Sequence, residues 1–164
     1  MKKSASARAA GTPATVELTR AGVPFTAHAY EHDRGATSFG IEAADELDVD
    51  PARVFKTLIA DADGRLVVGI VPVTGQLDLK ALAAAVGAKR VSLADPALAQ
   101  RRTGYIVGGI SPVGQKSRLE TVLDASASVF ETVYVSGGRR GFDIELTPSD
   151  LLRVTDGRLV AIAR

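Results

Sequence analysis

The sequence has 164 residues, enough for one domain that buries about 70 % of its unfolded surface. Apolar residues make up 46 %, charged residues 24 %, and the net charge is +1, which is ordinary for a globular protein. The chain has no cysteine, which excludes a protein thiol nucleophile, a disulfide and a thiolate metal site. No apolar run reaches the ~18 residues of a membrane span and no secretory signal is visible, so we expect a cytoplasmic protein without a membrane partner.

Helix starts are marked by four pairs in which Thr or Asp precedes Pro, because the polar side chain caps the first turn and proline suits its first position. These pairs are Thr12-Pro13, Asp50-Pro51, Asp95-Pro96 and Thr147-Pro148. We expect a mobile tail over residues 1–10 and one domain over 11–164. Helices are predicted from Thr12-Pro13 to Gly22, over 38–47 with Ser38 as cap, and over 78–86, 96–102 and 148–152.

Strands alternate irregularly with these helices. They are predicted near 25–30, 53–60, 65–72, 89–93, 105–107, 119–123, 129–136 and 142–146, with two short strands joined at Asp156-Gly157. The turn Asp61-Ala62-Asp63-Gly64 predicts a hairpin between 53–60 and 65–72. Since no βαβ alternation holds, the fold class is α+β: a single domain with a mixed, curved, barrel-like sheet surrounded by helices.

A lysine interrupts one of the most apolar strands. Val54, Lys56 and Leu58 share one face of that strand and Phe55, Thr57 and Ile59 the other, so both faces are mainly apolar. A buried cation costs free energy unless something holds it there, which makes Lys56 a candidate functional residue. The sequence alone leaves open an edge lysine that extends to water.

Two glycine-rich loops accompany this lysine, Gly104 to Pro112 and Val135 to Gly141. Paired glycines let backbone N–H groups approach a ligand closely, so the three features together indicate a pocket for an anionic or carbonyl-bearing substrate. Gly109-x4-Gly114 has the spacing of a phosphate loop, but Gln115 replaces its lysine and no strand–helix context is evident. Each loop could equally be a turn that needs positive φ.

Two further patterns carry weaker signals. His28-Ala29-Tyr30-Glu31-His32 matches a zinc-protease motif, but the segment reads as a strand, where positions i and i+4 lie roughly 13 Å apart, so we expect no metal site. Residues 86–118 carry six bases against one acid, whereas residues 31–50 carry seven acids against one base. This asymmetry either indicates a polyanion partner or is an ordinary charged surface.

Taken together, these segments resemble the YbaK/EbsC family of aminoacyl-tRNA deacylases, which is related to the editing domain of prolyl-tRNA synthetase. The matching segments are Val54-Phe55-Lys56-Thr57-Leu58, Val71-Pro72-Val73, Leu77-Asp78-Leu79-Lys80, Gly104 to Pro112 and Val135 to Gly141. The combination is most similar to the Cys-tRNA(Pro) deacylase branch. The resemblance covers nearly the whole chain from Thr12 onwards.

The resemblance implies a free-standing enzyme that hydrolyses the ester of mischarged tRNA(Pro), with prolyl-tRNA synthetase as a candidate partner and no cofactor. It implies Lys56 as the catalytic, positioning lysine. It implies substrate-binding roles for Tyr30, Phe39, Thr57, Gly108, Gly109, Ser136 and Asp143. The basic residues beside the loops are candidates for the tRNA backbone: Arg101, Arg102, Lys116, Arg118, Arg139 and Arg140.

The chain offers no obvious nucleophile of its own, since it lacks cysteine and shows no apparent Ser–His pair. The resemblance favours a cysteinyl substrate whose thiol attacks its own ester. Two alternatives stay open: an alanyl-tRNA(Pro) deacylase that uses water, and a non-catalytic module that binds the tRNA acceptor end or a nucleotide.

Overall fold

The structure, a computed structural model, describes residues 11–31 and 39–164. The predicted tail over residues 1–10, the Ser38 cap and His32 lie outside these residues. The described helices are α1 (Pro13–Arg20), α2 (Phe39–Leu47), α3 (Leu79–Val86), α4 (Pro96–Thr103) and α5 (Pro148–Thr155), with 3-10 helices at Pro51–Arg53 and Ala125–Val129. The strands are β1 (Thr26–Ala29), β2 (Phe55–Ala62), β3 (Arg65–Pro72), β4 (Val91–Leu93), β5 (Glu120–Asp124), β6 (Val133–Arg139), β7 (Phe142–Leu146) and β8 (Arg158–Val160).

The predicted α+β class with mixed strand directions is confirmed. In the described residues the strands form two sheets, ordered β1-β7-β6 and β4-β2-β3-β5-β8. The first sheet is antiparallel throughout, whereas in the second β3, β5 and β8 run parallel. Within residues 11–31 and 39–164 the first and last strands of each sheet do not pair with each other, so neither sheet closes into a barrel there.

All four predicted caps are present. The side chains of Thr12, Asp50, Asp95 and Thr147 each accept a hydrogen bond from a backbone N–H in the following turn. Gly87 and Gly104 end α3 and α4 in the left-handed conformation, with φ of +70° and +82°. The local chemistry therefore sets these helix ends, as the sequence predicts.

Two predicted strands are wrong. Residues 105–107 form a turn, because the hydroxyl of buried Tyr105 donates to the carbonyl of Val113 at 2.7 Å and anchors the loop. Only one strand, β8, flanks Asp156-Gly157, since α5 continues to Thr155 and Asp156 caps it with a φ of +55°. The predicted strand over 129–136 begins only at Val133, because a 3-10 helix occupies residues up to Val129.

The main hydrophobic core lies between the two sheets. The inward residues of β6 and β7 alternate with outward polar ones, so that Val135, Phe142 and Ile144 are fully buried there. Residues of α1 and α5 close this core, and a second cluster joins α3 to the other face of the larger sheet. The opposite, polar face of the smaller sheet is thus turned away from the core, and its residues Ser136 and Asp143 line a cavity.

Candidate active site

A cavity of about 350 Å³ lies where the backbones of the two sheets come together. A single parallel bridge pairs Val54, just before β2, with Tyr134 of β6. The cavity lies past this bridge and takes its walls from both sheets, α2, α4 and the first glycine-rich loop. Seven of the eight predicted catalytic and substrate-binding residues line it: Tyr30, Phe39, Lys56, Thr57, Gly108, Ser136 and Asp143.

Polar side chains form a row across the strands at the cavity. Residues paired across a bridge point to the same side, and side chains alternate along each strand. Lys56 and Ser136 each lie two residues past the Val54–Tyr134 bridge, so they point to the same side as Val54 and Tyr134. Ser136 pairs in register with Asp143, which in turn pairs with His28 of β1. Strand pairing thus places a base, a hydroxyl and an acid from distant parts of the chain along one face.

Lys56 is half-buried on β2, with the apolar neighbours expected for a strand covered on both faces. Among the described residues it has no ion-pair or hydrogen-bond partner, although its side chain lines the cavity. Its ammonium group is therefore available to an anionic or carbonyl-bearing ligand rather than committed to a structural ion pair.

Asp143 is the acid of the site and is only 6 % exposed. Burial raises the pKa of this carboxyl group to about 7, because the ionised form loses its hydration. Burial also raises the pKa of the Tyr30 phenol, and the nearby charge of Asp143 raises it further. Tyr30 therefore stays a neutral hydroxyl at physiological pH.

Thr57 also lines the cavity and has a polar atom without a partner among the described residues. Its hydroxyl oxygen is buried and has no hydrogen-bond partner within residues 11–31 and 39–164. The carbonyl of Val54, just before β2, accepts a hydrogen bond on the β3 side, and that of Ile59 in β2 accepts one on the β4 side. Because the peptide groups of successive residues in an antiparallel strand point alternately to either neighbour, those of Thr57 point away from β3. Strand β4 pairs only with residues 60–62, which leaves this stretch of edge open.

The two glycine-rich loops touch each other beside the cavity. A Cβ atom on Gly109 would lie 2.8 Å from the Cα of Arg139, so only glycine permits this approach. Gly109 itself is buried, does not line the cavity, and donates its N–H to the carbonyl of Ile106 at 2.9 Å. Gly108, with a φ of +90°, lines the cavity, and its N–H has no backbone acceptor among the described residues, so it is the better candidate donor.

The six predicted RNA-backbone residues are all exposed but lie in two places. Arg139 and Arg140 lie on the second glycine-rich loop, where their guanidinium groups stack over Phe142 and Phe39. The other four lie around the end of α4, where the backbone N–H groups of Lys116 and Ser117 bond to the carbonyls of Thr103 and Arg102. This second group, Arg101, Arg102, Lys116 and Arg118, adjoins the first glycine-rich loop but not the cavity.

The sequence did not reveal a polar network on the same sheet face. His28 contacts Glu145 at 2.9 Å, and Glu145 also accepts from Thr132 and Arg53. Burial by itself would raise the pKa of the Glu145 carboxyl group, but the hydrogen bonds from Thr132 and His28 favour the ionised form. The net result is a pKa below the usual value. His28 lies on a strand, as predicted, and no cluster of three or more potential metal ligands occurs in the described part of the chain.

The cavity's apolar wall was also missed. Gly40 of α2 packs so closely on Val73 that a Cβ atom there would lie 2.1 Å from a Val73 methyl group. Val73, Gly40 and Ala43 all line the cavity. These contacts join residues some thirty positions apart, so no local pattern in the sequence predicts them.

Comparison with known proteins connects this geometry to a family. The model of the aminoacyl-tRNA editing domain matches residues 35–154. The chain is 38 % identical over 120 residues to "Putative Cys-tRNA(Pro)/Cys-tRNA(Cys) deacylase EbsC" of Enterococcus faecalis, covering 73 % of each chain. It is 31 % identical over 99 residues to "Multifunctional Ser/Thr-tRNA deacylase ProXp-y" of Escherichia coli K12, covering 60 % of this chain and 59 % of the relative.

Solved structures give the same fold. The crystal structure of "a putative trans-editing enzyme for prolyl tRNA synthetase" superposes with a TM-score of 0.83 at 22 % identity, covering 93 % of this chain and 95 % of that one. No helix in the described residues is long and apolar enough to cross a membrane. The family match over residues 35–154 and the 38 % identity to EbsC together show that this chain belongs to the aminoacyl-tRNA editing domain family.

Proposed function

We propose that this protein is a trans-editing aminoacyl-tRNA deacylase that clears mischarged tRNA(Pro), with Cys-tRNA(Pro) as its preferred substrate. Membership of the editing family and the deacylase names of its relatives support the enzyme class. The substrate proposal extends the name of EbsC to this chain. Prolyl-tRNA synthetase is the partner that would supply tRNA selection, and the cytoplasm is the proposed location.

The observation that carries the proposal is the set of unpaired polar groups around one apolar cavity. Lys56 supplies a cation, Asp143 a buried carboxyl group and Thr57 an uncovered strand edge. An aminoacyl ester on a terminal ribose offers a carbonyl oxygen, an amino group and a nearby phosphate. The cavity offers a cation and strand-edge peptide groups to the carbonyl and phosphate oxygens, and it is wide enough for a small amino acid.

The proposed mechanism takes its nucleophile from the substrate. The thiolate of the cysteinyl group attacks its own ester carbonyl, a C–S bond forms and closes a small ring, and the C–O bond to the ribose breaks. The thiol proton passes to the departing ribose oxygen through solvent. Holding both ends of this intramolecular reaction in place can contribute ~7–11 kcal/mol in the best-oriented cases.

The protein's part in this mechanism is positioning and charge stabilisation. Lys56 and the N–H of Gly108 or Thr57 would stabilise the negative oxygen that develops on the carbonyl carbon. Among the described residues, neither of the two nearby serines is paired with a histidine: the Ser111 hydroxyl accepts from the N–H of Val113, and the Ser136 hydroxyl accepts from that of Gly138. Neither arrangement activates a serine nucleophile.

A second candidate is a deacylase that uses water and removes alanine, serine or threonine. This candidate is supported by the name of the Escherichia coli relative, which describes a Ser/Thr-tRNA deacylase. A third candidate is a non-catalytic module that binds the acceptor end or a nucleotide. The second candidate would cleave esters that lack a thiol, and the third would cleave none.

The test is hydrolysis of Cys-tRNA(Pro) by purified parent protein, Lys56→Ala and Lys80→Ala. Lys80 is an exposed lysine of α3 outside the cavity, so its variant is the matched control. We expect rapid hydrolysis by the parent and the control and a loss of ~10²-fold or more for Lys56→Ala, comparable to removing an oxyanion donor. Equal melting temperatures would show that folding is intact, and full activity of Lys56→Ala would remove the assigned role.

A further inference from the structure

Asp143 is a buried carboxyl group that the proposed mechanism does not use. It lies in the middle strand of the smaller sheet, lines the cavity and is only 6 % exposed. No hydrogen bond or ion pair reaches its side chain from any described residue. A buried acid without a partner costs folding free energy, which indicates a group kept for a ligand.

The groups that face Asp143 explain why it stays unpaired. Tyr30, just after β1, is close enough for the charge of Asp143 to act on its phenol, whereas His28 of β1, the partner of Asp143 in register, turns its ring to Glu145 instead. From β6, Asp143 meets Ser136, and Lys56 of β2 also lines the cavity but lies beyond ion-pair distance of Asp143. The cavity therefore carries a cation and an acid that are not paired with each other.

Glu42 and Glu46 of α2 act on the Tyr30 phenol together with Asp143 and add to the negative potential there. An arriving ammonium group would be attracted to this region, whereas a phosphate or a carbonyl oxygen would be attracted towards Lys56. A ligand that carries both kinds of group is thereby oriented.

We propose that Asp143 binds the α-ammonium group of the aminoacyl ester, so that the enzyme accepts only esters with an unblocked amino group. This inference rests on the proposed function and specifies its substrate class. Formylated, acetylated and peptidyl esters have a neutral amide in place of the ammonium. They would leave Asp143 buried without a cation and would place extra atoms next to its carboxyl group.

Proton linkage supports the pairing. Because burial raises the pKa of Asp143 to about 7, the empty site is partly protonated at neutral pH. An ammonium ligand favours the ionised carboxylate, so its binding releases a proton below pH 7 and its affinity falls as the solution becomes more acidic. A ligand with a blocked amino group has no such dependence on this carboxyl group.

The first test compares cysteinyl-tRNA with N-acetyl-cysteinyl-tRNA under single-turnover conditions. We expect the parent to cleave the acetylated ester about 10- to 100-fold more slowly, the range for losing one charge-assisted bond. Asp143→Asn should bring the two rates within a few-fold of each other. Glu145→Gln, the same change two residues along the same strand face, should behave like the parent because Glu145 lies outside the cavity.

The second test measures binding without hydrolysis. Calorimetry is done with 3′-amino-3′-deoxyadenosine acylated through its amine by alanine, and with the N-acetyl form of that compound. The parent should prefer the first at pH 8, and the preference should shrink at pH 5.5 and in Asp143→Asn. Equal affinity of the parent for both compounds would overturn the inference.

The two tests separate the inference from the function on which it rests. If the parent cleaves both esters equally, the proposed function stands and the role of Asp143 is wrong. If it cleaves neither ester, the proposed function fails, and calorimetry alone decides whether the cavity selects a free amino group.

Discussion

The guanidinium group of Arg140 donates two hydrogen bonds to the carbonyl oxygen of Val107, at 2.6 Å and 3.1 Å. The same group lies 4.7 Å from the centre of the Phe39 ring. Arg140 therefore connects the second glycine-rich loop, the first glycine-rich loop and α2 at the side of the cavity. Its contact with the RNA backbone stays a prediction. The structure adds a second role, which is to hold these three segments together.

Arg140→Ala should lower kcat/KM about tenfold at every salt concentration, because removing the charge-assisted bond to Val107 loosens the loop that carries Gly108. Arg140→Lys should recover part of the rate. Arg139→Ala is the control, since Arg139 stacks on Phe142 and has no hydrogen bond to the first loop among the described residues. A decrease that appears only at low salt would instead assign Arg140 to the RNA backbone.

Gly108→Ala should lower both stability and activity. At a φ of +90°, an alanine costs ~1–2 kcal/mol in any surroundings. Here its Cβ would also lie 2.6 Å from Arg140 and 2.8 Å from Phe39. Gly64→Ala is a close control, with a φ of +95° and nothing within 4 Å.

The difference between these two variants isolates the packing at the cavity. Urea unfolding should show a larger decrease in unfolding free energy for Gly108→Ala, and only this variant should hydrolyse Cys-tRNA(Pro) more slowly. Equal decreases in stability together with unchanged rates would mean that Gly108 does no more than form a turn.

Binding of tRNA should weaken as salt is added, because basic residues that neutralise phosphates release counterions. Replacing Arg101, Arg102, Lys116 and Arg118 by alanine should reduce the slope of log K against log salt by about 0.7–0.9 for each phosphate that is no longer neutralised. Arg20→Ala, on α1 and paired only with Glu17 at 3.5 Å among the described residues, is the control. An unchanged slope in the fourfold variant would place the RNA elsewhere.

Asp143→Asn should stabilise the protein above pH 7. The native pKa of about 7 lies above the ordinary value of 3.8, so the native state holds one more proton than the unfolded state between these values. Stability therefore falls as pH rises towards 7 and then levels off, and the asparagine variant avoids this decrease.

The measurement for Asp143 is thermal melting of parent and variant at pH 5, 6, 7 and 8. The advantage of Asp143→Asn should be largest at pH 8 and should shrink steadily towards pH 5. A constant difference across this range would show that the native carboxyl group has an ordinary pKa.

Local chemistry made part of this structure predictable. The caps at Thr12, Asp50, Asp95 and Thr147 act within one helical turn, so three or four residues are enough to specify each helix start. The hairpin at Asp63 and Gly64 is equally local. The predicted strand at 105–107 was wrong because burial of Tyr105 in tertiary contacts overrides the apolar pattern of that segment.

The assembly of the site depended on contacts that leave no local signal. His28 pairs with Asp143, 115 positions later in the chain, and the Val54–Tyr134 bridge joins residues 80 positions apart. Lys56 and the two glycine-rich loops were predicted from the sequence pattern itself. The other substrate-binding residues came from the family resemblance, which names positions but not their contacts. Only the structure shows that the Gly109 N–H donates to the carbonyl of Ile106 and that the Arg140 guanidinium group donates to the carbonyl of Val107.

The central claim is that the substrate's thiol attacks its own ester in this cavity. The most direct measurement is the single-turnover rate of deacylation for cysteinyl, alanyl, seryl and prolyl esters of the same tRNA(Pro). We expect the cysteinyl ester to be cleaved much faster than the other three, because alanine and proline lack a nucleophile and the serine hydroxyl is largely un-ionised at neutral pH. Equal rates for the alanyl and cysteinyl esters would contradict the thiol mechanism and assign the reaction to water.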